Sequence, residues 1–332
     1  MTLMDNQVLV RVEHLYRYYG ETCALNDVSF EVSRGEVLGF LGPNGAGKST
    51  TMQILSGNLA PSAGRVWING VDILKQPKQA KAALGYLPDQ PPLYRELTVN
   101  EYLQYCARLH RIPRGEQRIA IERAKQRCGL TEVGKRLIGN LSKGYQQRVG
   151  IAQAIVHMPA LVILDEPTVG LDPIQMREIR ALIRELSGEH GVILSTHILP
   201  EIQATCDRVQ IINKGQLMLS DTLAGLQARM HSSSMVVGLH NMPPLAELAA
   251  LPGIGSVELL ADGRVRLHHA SHHVSHNILE HNPAEALVAR AVQQGWRLYE
   301  LIPERVSLEQ IFVDITRTEQ HEADDVARDE AA

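Results

Sequence analysis

One stretch constrains this 332-residue sequence more than any other: Gly42-Pro43-Asn44-Gly45-Ala46-Gly47-Lys48-Ser49. It fits G-x-x-x-x-G-K-[ST], stands directly behind the apolar run Val37–Leu41, and opens the helical pattern Lys48–Leu55. Glycines let the backbone curl until its N–H groups point inward, where phosphate oxygens can accept from them. The helix N-terminus adds a partial positive charge. Lys48 is expected to reach the β- and γ-phosphates of a nucleotide. The Ser49 hydroxyl is expected to ligate Mg²⁺, and Thr50 is counted with the loop. The bland reading is a glycine-rich turn followed by a chance Lys-Ser, and the flanking strand and helix argue against it.

Two more continuous apolar runs, Leu161–Leu164 and Val192–Ser195, suit parallel strands buried on both faces. Helical patterns follow them over Pro173–Leu186 and Leu199–Cys206. This alternation predicts an α/β domain with a largely parallel sheet over about residues 7–225. A helical insert, about 98–157, holds the amphipathic stretches Val99–His110 and Glu116–Cys128. The Leu161 run ends in Asp165-Glu166. At a strand's C-terminal end, Asp165 can hold Mg²⁺ through water and Glu166 can face the γ-phosphate as a general base. Two acids after a strand are more often a solvated loop, and only the phosphate loop changes that weighting.

Beyond the α/β domain, residues 226–234 read as a polar linker. Residues 235–316 then read as a small α+β domain in the order βαββαβ, with an Asp262-Gly263 hairpin turn, which is the ferredoxin-like pattern. A last helix is expected over Leu308–Thr316 and a disordered acidic tail over 317–332. His268, His269, His272, His273, His276 and His281 could bind a transition metal. No cysteine or carboxylate pattern supports that, and a solvated strand-to-helix junction is the plainer reading.

With 33 Lys+Arg against 37 Asp+Glu, the formal charge is −4. That balance argues against a dedicated nucleic-acid binder. No apolar run approaches the ~18 residues needed to span a bilayer, and Met1–Val10 lacks the basic start of a secretory signal. Cys23, Cys106, Cys128 and Cys206 are dispersed and read as free thiols in a reducing compartment.

Leu141-Ser142-Lys143-Gly144-Tyr145-Gln146-Gln147-Arg148 resembles the signature motif of the ATP-binding cassette (ABC) ATPases, L-S-G-G-Q in its commonest form. Ser142 is a good N-cap for the helix behind it. Its hydroxyl, the Gly144 backbone and the helix dipole make a second anion site, with no obvious use within one chain. The resemblance covers about residues 8–220 closely. It implies a P-loop NTPase cassette with a helical signature subdomain, and a head-to-tail dimer in which Leu141, Ser142, Lys143, Gly144 and Tyr145 of one subunit close over ATP held by the other. Val169-Gly170-Leu171-Asp172 resembles the D-loop, with Asp172 facing the opposing subunit. His197 resembles the switch histidine at the γ-phosphate. Tyr19 matches the aromatic that stacks on adenine, with Tyr16 and Tyr18 as competitors.

Two departures stand out. Where the family's Q-loop carries Gln, this chain has Leu87-Pro88-Asp89-Gln90, so either Asp89 or Gln90 could approach Mg²⁺. Lys143 and Tyr145 replace the usual Gly and Gln of the signature. These variants resemble the subgroup of drug-export, sodium-export and gliding-motility ATPases. The family implies ATP hydrolysis with Mg²⁺, a separate integral-membrane permease contacted near residues 89–100, a second cassette, and a peripheral place on the cytoplasmic face of the cell membrane. A soluble cassette used in translation, repair or cluster assembly is the other class. A single phosphate loop, a single signature and no sustained heptads favour export.

Overall fold

A computed structural model describes residues 8–229, 234–269 and 283–304, and divides the chain into two compact units, Met1–Leu223 and Ala224–Ala332. The first unit opens with two long strands, β1 (Val8–Tyr19) and β2 (Thr22–Ser33), ahead of β3 (Val37–Leu41) and α1 (Lys48–Leu55). Next come β4 (Ala63–Ile68), β5 (Val71–Asp72), α2 (Pro77–Ala82) and β6 (Leu84–Leu87). The helical insert supplies α3 (Val99–Leu109), α4 (Arg114–Arg127) and α5 (Lys143–Ile155). The unit continues with β7 (Leu161–Asp165), α6 (Pro173–Leu186), β8 (Gly191–Thr196), α7 (Leu199–Thr205), β9 (Arg208–Asn213) and β10 (Gln216–Thr222).

The central sheet has the order β10-β9-β3-β8-β7-β6, parallel except for the β10 edge. Every residue of β3, β7 and β8 is buried. That double-sided burial is why these strands read as unbroken apolar runs. Register then fixes function. Leu41 pairs with Thr196, Ser195 with Asp165, and Leu164 with Leu87. The residues that follow these strands, Gly42, His197, Glu166 and Pro88-Asp89, therefore leave one edge of the sheet side by side. The C-terminal edge of a parallel sheet is where such folds bind ligands.

A second sheet, β2-β1-β4-β5, is wholly antiparallel and was not expected from the sequence. Bulges break the β1–β2 register between Val12 and Leu15 and again between Leu15 and Arg17. His14 sits there in the left-handed region, φ 47°. The strand's burial therefore departs from strict alternation, and its period-2 signal is lost. Val10, Leu15, Leu25, Val28 and Val32 nevertheless join Phe40 and Met52 in one continuous core.

Helix α3 begins with a capping box, in which Thr98 Oγ1 accepts from the Glu101 N–H and the Glu101 carboxylate accepts from the Thr98 N–H. Between the α3–α4 turn and the end of α5 lies a cavity of about 590 Å³. On its wall the His110 and His157 rings stack 3.6 Å apart and nearly parallel, and His157 Nε2 lies 3.1 Å from the Leu84 carbonyl oxygen.

Helix α8 (Leu223–Arg229) occupies the first part of the stretch read as linker. The second unit then runs β11 (Ser234–Leu239), α9 (Leu245–Ala249), β12 (Ile254–Leu259), β13 (Val265–His269), α10 (Pro283–Gln294) and β14 (Leu298–Glu304). Its sheet order, β12-β13-β11-β14, is antiparallel throughout, the split-βαβ arrangement of a ferredoxin-like domain. Gly263 takes φ 83° in the Asp262-Gly263 turn, where the Leu260 N–H bonds back to the Arg264 carbonyl. Leu248, Leu287 and Trp296 close the core against Val237 and Leu267. The Leu308–Thr316 helix, the acidic tail and most of the histidine tract lie outside the described residues.

Candidate functional site

The loop between β3 and α1 has the shape its glycines allow. Gly47 is the N-cap of α1 at φ 104°, and a Cβ there would stand 2.8 Å from Leu25 Cδ2 and 2.9 Å from the Ala24 carbonyl oxygen. A Cβ at Gly42 would collide with the Ile212 carbonyl oxygen. No other residue fits either position without moving the backbone of β2 or β9.

Asn44, Gly45, Gly47, Lys48, Ser49, Thr50, Asp89 and Glu166 line one cavity of about 230 Å³, with Ala24 on the remaining wall. Residues read from three separate parts of the sequence thus meet at one place. Of the two Q-loop candidates, Asp89 lines this cavity and Gln90 does not. Gly42, Pro43 and Ala46 belong to the same loop as its backbone, with the Ala46 N–H bonded to the Pro43 carbonyl.

Lys48 is 5% exposed. Its Nζ donates to the carbonyls of Gly42 at 2.8 Å and Pro43 at 3.2 Å, and lies 3.7 Å from Glu166 Oε1. Burial pulls the ammonium below its ordinary pKa, while Glu166 and Asp165 hold it up. Glu166 sits in the left-handed region at φ 49°, an uncommon conformation for a residue with a side chain, and its N–H donates to the Ser195 carbonyl at 2.9 Å. His197 Nδ1 is 3.0 Å from both carboxylate oxygens of Glu166. With Glu166 ionised, Nδ1–H donates, which leaves Nε2 as an acceptor in the neutral ring.

Asp165 is 3% exposed, and its Oδ1 finds no hydrogen-bond partner among the described residues. Burial raises its carboxyl above the usual range; the Ser195 and Ser49 hydroxyls pull the other way, and Glu166 and Asp89 push it further up. An orphaned carboxylate oxygen and the Ser49 hydroxyl are hard oxygen donors of the kind Mg²⁺ takes together with phosphate and water; among the described residues no three His, Cys, Asp or Glu side chains cluster into a metal site by themselves. Asp165 and Asp89 also bear on Tyr86, whose phenol is pushed up to about 12, chiefly by burial. Tyr86 and Ser195 were given no site role from the sequence, because both lie within strands, where packing is the ordinary role.

Several expected residues stand elsewhere. The signature residues Leu141, Ser142, Lys143, Gly144 and Tyr145 do not line the cavity. Ser142 is the N-cap of α5 and its Oγ accepts from the Tyr145 N–H at 3.4 Å. Gly144 packs closely on Gln175, and the Lys143 ammonium reaches over Gly170. Asp172 caps α6, accepting from the N–H groups of Ile174 at 3.0 Å and Gln175 at 2.9 Å. Tyr19 is half-exposed at the end of β1, with the Arg17 guanidinium 4.6 Å above its ring, and is not part of the cavity wall.

The family described as ABC transporter matches residues 25–169. The ABC transporter ATP-binding protein NatA of Bacillus subtilis is 38% identical over 64% of this chain and 87% of its own length. The linearmycin resistance ATP-binding protein LnrL of Bacillus subtilis is 30% identical over 93% of this chain and 98% of its own. The daunorubicin resistance ATP-binding protein DrrA2 of Streptomyces coeruleorubidus is 32% identical over 96% of this chain and 98% of its own. Among solved structures, an ATP-binding subunit of an ABC transporter superposes with a TM-score of 0.61 and 32% identity, covering 67% of this chain and 92% of that one.

Proposed function

This chain belongs to the ABC transporter ATP-binding family, and from that premise we propose how its residues bind and hydrolyse ATP to power a membrane export complex. The chain is an ATPase subunit. The observation that carries the residue assignment is the convergence of Lys48, Ser49, Asp89 and Glu166 on one cavity, with His197 bonded to Glu166.

The loop's N–H groups and Lys48 bind the β- and γ-phosphates, Lys48 exchanging its contacts with Gly42 and Pro43 for phosphate oxygens. Ser49 and Asp165 are the residues that would hold Mg²⁺, with Asp89 approaching it; the ion would neutralise charge on the phosphates. Glu166 accepts the proton of the attacking water. His197 holds the Glu166 carboxylate through Nδ1–H, and its imidazolium form carries a second N–H, at Nε2, that donates to the transferred phosphoryl group. Tyr19 offers a face for adenine.

The signature residues complete the pocket of a second cassette. Ser142, the Gly144 backbone and the start of α5 form an anion site that does not line the chain's own cavity, and a head-to-tail dimer brings it to the partner's γ-phosphate. Asp172, already capping α6, lies at the same junction. No helix among the described residues is long and apolar enough to cross a membrane. Like the ATP-binding subunits of transporters it resembles, the chain works with a membrane permease, which we place against residues 89–100, on the cytoplasmic face of the membrane. Tyr94 lies in that segment, 46% exposed and packed edge-on against Tyr102 and Tyr105. Two relatives that match nearly end to end are named resistance proteins, which favours export over the soluble roles.

The test is Glu166→Gln in the full chain. It should slow hydrolysis by about a hundredfold or more and trap an ATP-bound dimer on size-exclusion chromatography. A variant that hydrolyses ATP at full rate and stays monomeric would overturn the assignment.

A further inference from the structure

Helix α7 follows His197, and its one acid, Glu201, would be expected to turn to water. Glu201 does the opposite. Its side chain is 1% exposed, and burying a carboxylate without partners is costly. Its partners are specific. Oε2 accepts from Thr196 Oγ1 at 2.8 Å, Oε1 accepts from Thr168 Oγ1, and Arg180 Nη2 lies 3.8 Å from Oε1. Thr168 and Thr196 are themselves buried, 3% and 0% exposed.

The positions of the two threonines matter. Thr168 stands two residues beyond Glu166, and Thr196 immediately precedes His197. One carboxylate therefore spans the two segments whose next polar side chains, Glu166 and His197, meet 3.0 Å apart. The Thr196 hydroxyl also accepts from the Ile198 N–H at 3.1 Å, which pins the chain on the far side of His197. Glu166 is held in the left-handed region at φ 49°, a conformation that needs support from its surroundings.

We propose that Glu201 is a positioning residue for hydrolysis: through Thr168 and Thr196 it fixes Glu166 and His197 relative to each other, without touching nucleotide. The proposal rests on the ATPase reading above and deepens it.

Thr168→Val and Thr196→Val keep shape and remove the hydroxyls. Each should lower kcat about tenfold or more while KM for ATP stays within about twofold. Thr168→Ser and Thr196→Ser restore the hydroxyl and should recover kcat to within about twofold of wild type. Glu201→Asp keeps the charge but is too short to reach both hydroxyls, and should also lower kcat selectively. Wild-type kcat in the two valine variants, or in Glu201→Asp if the valine variants do not fold, overturns the proposal. So does a loss that serine fails to rescue. A wild-type chain that does not hydrolyse ATP would sink the function itself. Turnover that Glu166→Gln abolishes and the valine variants leave untouched would sink only the role of Glu201.

Discussion

Lys48 Nζ stands 3.7 Å from Glu166 Oε1 while donating to two carbonyls of its own loop. The residue proposed to bind phosphate and the residue proposed to activate water thus hold each other in place. Both are nearly buried, so the pair is only weakly screened by solvent.

Lys48→Ala removes a buried cation from beside the Glu166 carboxylate. Charge-assisted hydrogen bonds contribute about 1.5–3 kcal/mol each, so ATP affinity should fall at least about tenfold. Calorimetric titration of the full chain measures it. Unaltered affinity would take Lys48 out of the binding site.

Asp89 and Gln90 were alternatives in the sequence, and only Asp89 lines the cavity. Asp89→Ala should therefore reduce ATP turnover more than Gln90→Ala. Steady-state rates of the two variants over a Mg²⁺ titration decide between them, and the reverse order would reject this placement.

A pocket completed by a second chain predicts complementation. Ser142→Arg and Lys48→Ala should each be inactive as homodimers. Mixed, they form heterodimers with one intact composite pocket, so hydrolysis should reappear on mixing and scale with the product of the two concentrations. A mixture as inactive as its components would exclude catalysis in trans.

Acid should destabilise the first unit through His157. Burial, helped by His110, lowers its pKa to about 4. The folded state thus resists the proton that the unfolded state accepts near the ordinary value of 6.5. The stabilisation is fully present above that value and is lost as pH falls toward 4, up to about 3 kcal/mol in all. His157→Phe keeps a stacked ring without a titrating nitrogen. Urea unfolding at about pH 7.5 and about pH 4.5 should show a smaller difference in the variant. Equal acid sensitivity would refute the assignment to His157.

Much of the site was legible because its strands are buried on both faces and end abruptly in polar residues. Val37–Leu41, Leu161–Asp165 and Val192–Ser195 each announce both their element and the position of the group that follows. The second unit was legible for a different reason, the Asp262-Gly263 turn between short alternating strands. The β1–β2 sheet was not, since its bulges at His14 and Leu15 spoil the periodicity that a strand would otherwise show. Glu201 escaped notice because α7 is short, and a single acid on it reads as solvated until packing shows otherwise. Asp172 was read for a partner subunit, and the structure gives it a local task as well, the N-cap of α6.

Because Leu41, Asp165 and Leu87 are tied to their neighbours by strand pairing, the reacting groups inherit their alignment from hydrogen-bonded ladders. A slip of one residue between β7 and β8 would displace Glu166 from His197 by ~3.3 Å and turn alternate side chains to the opposite face. Such a mispaired molecule could keep its helices and its compactness yet would be catalytically silent. For protein recovered from inclusion bodies, turnover per mole therefore counts the correctly threaded fraction, which spectroscopic helix content would overestimate.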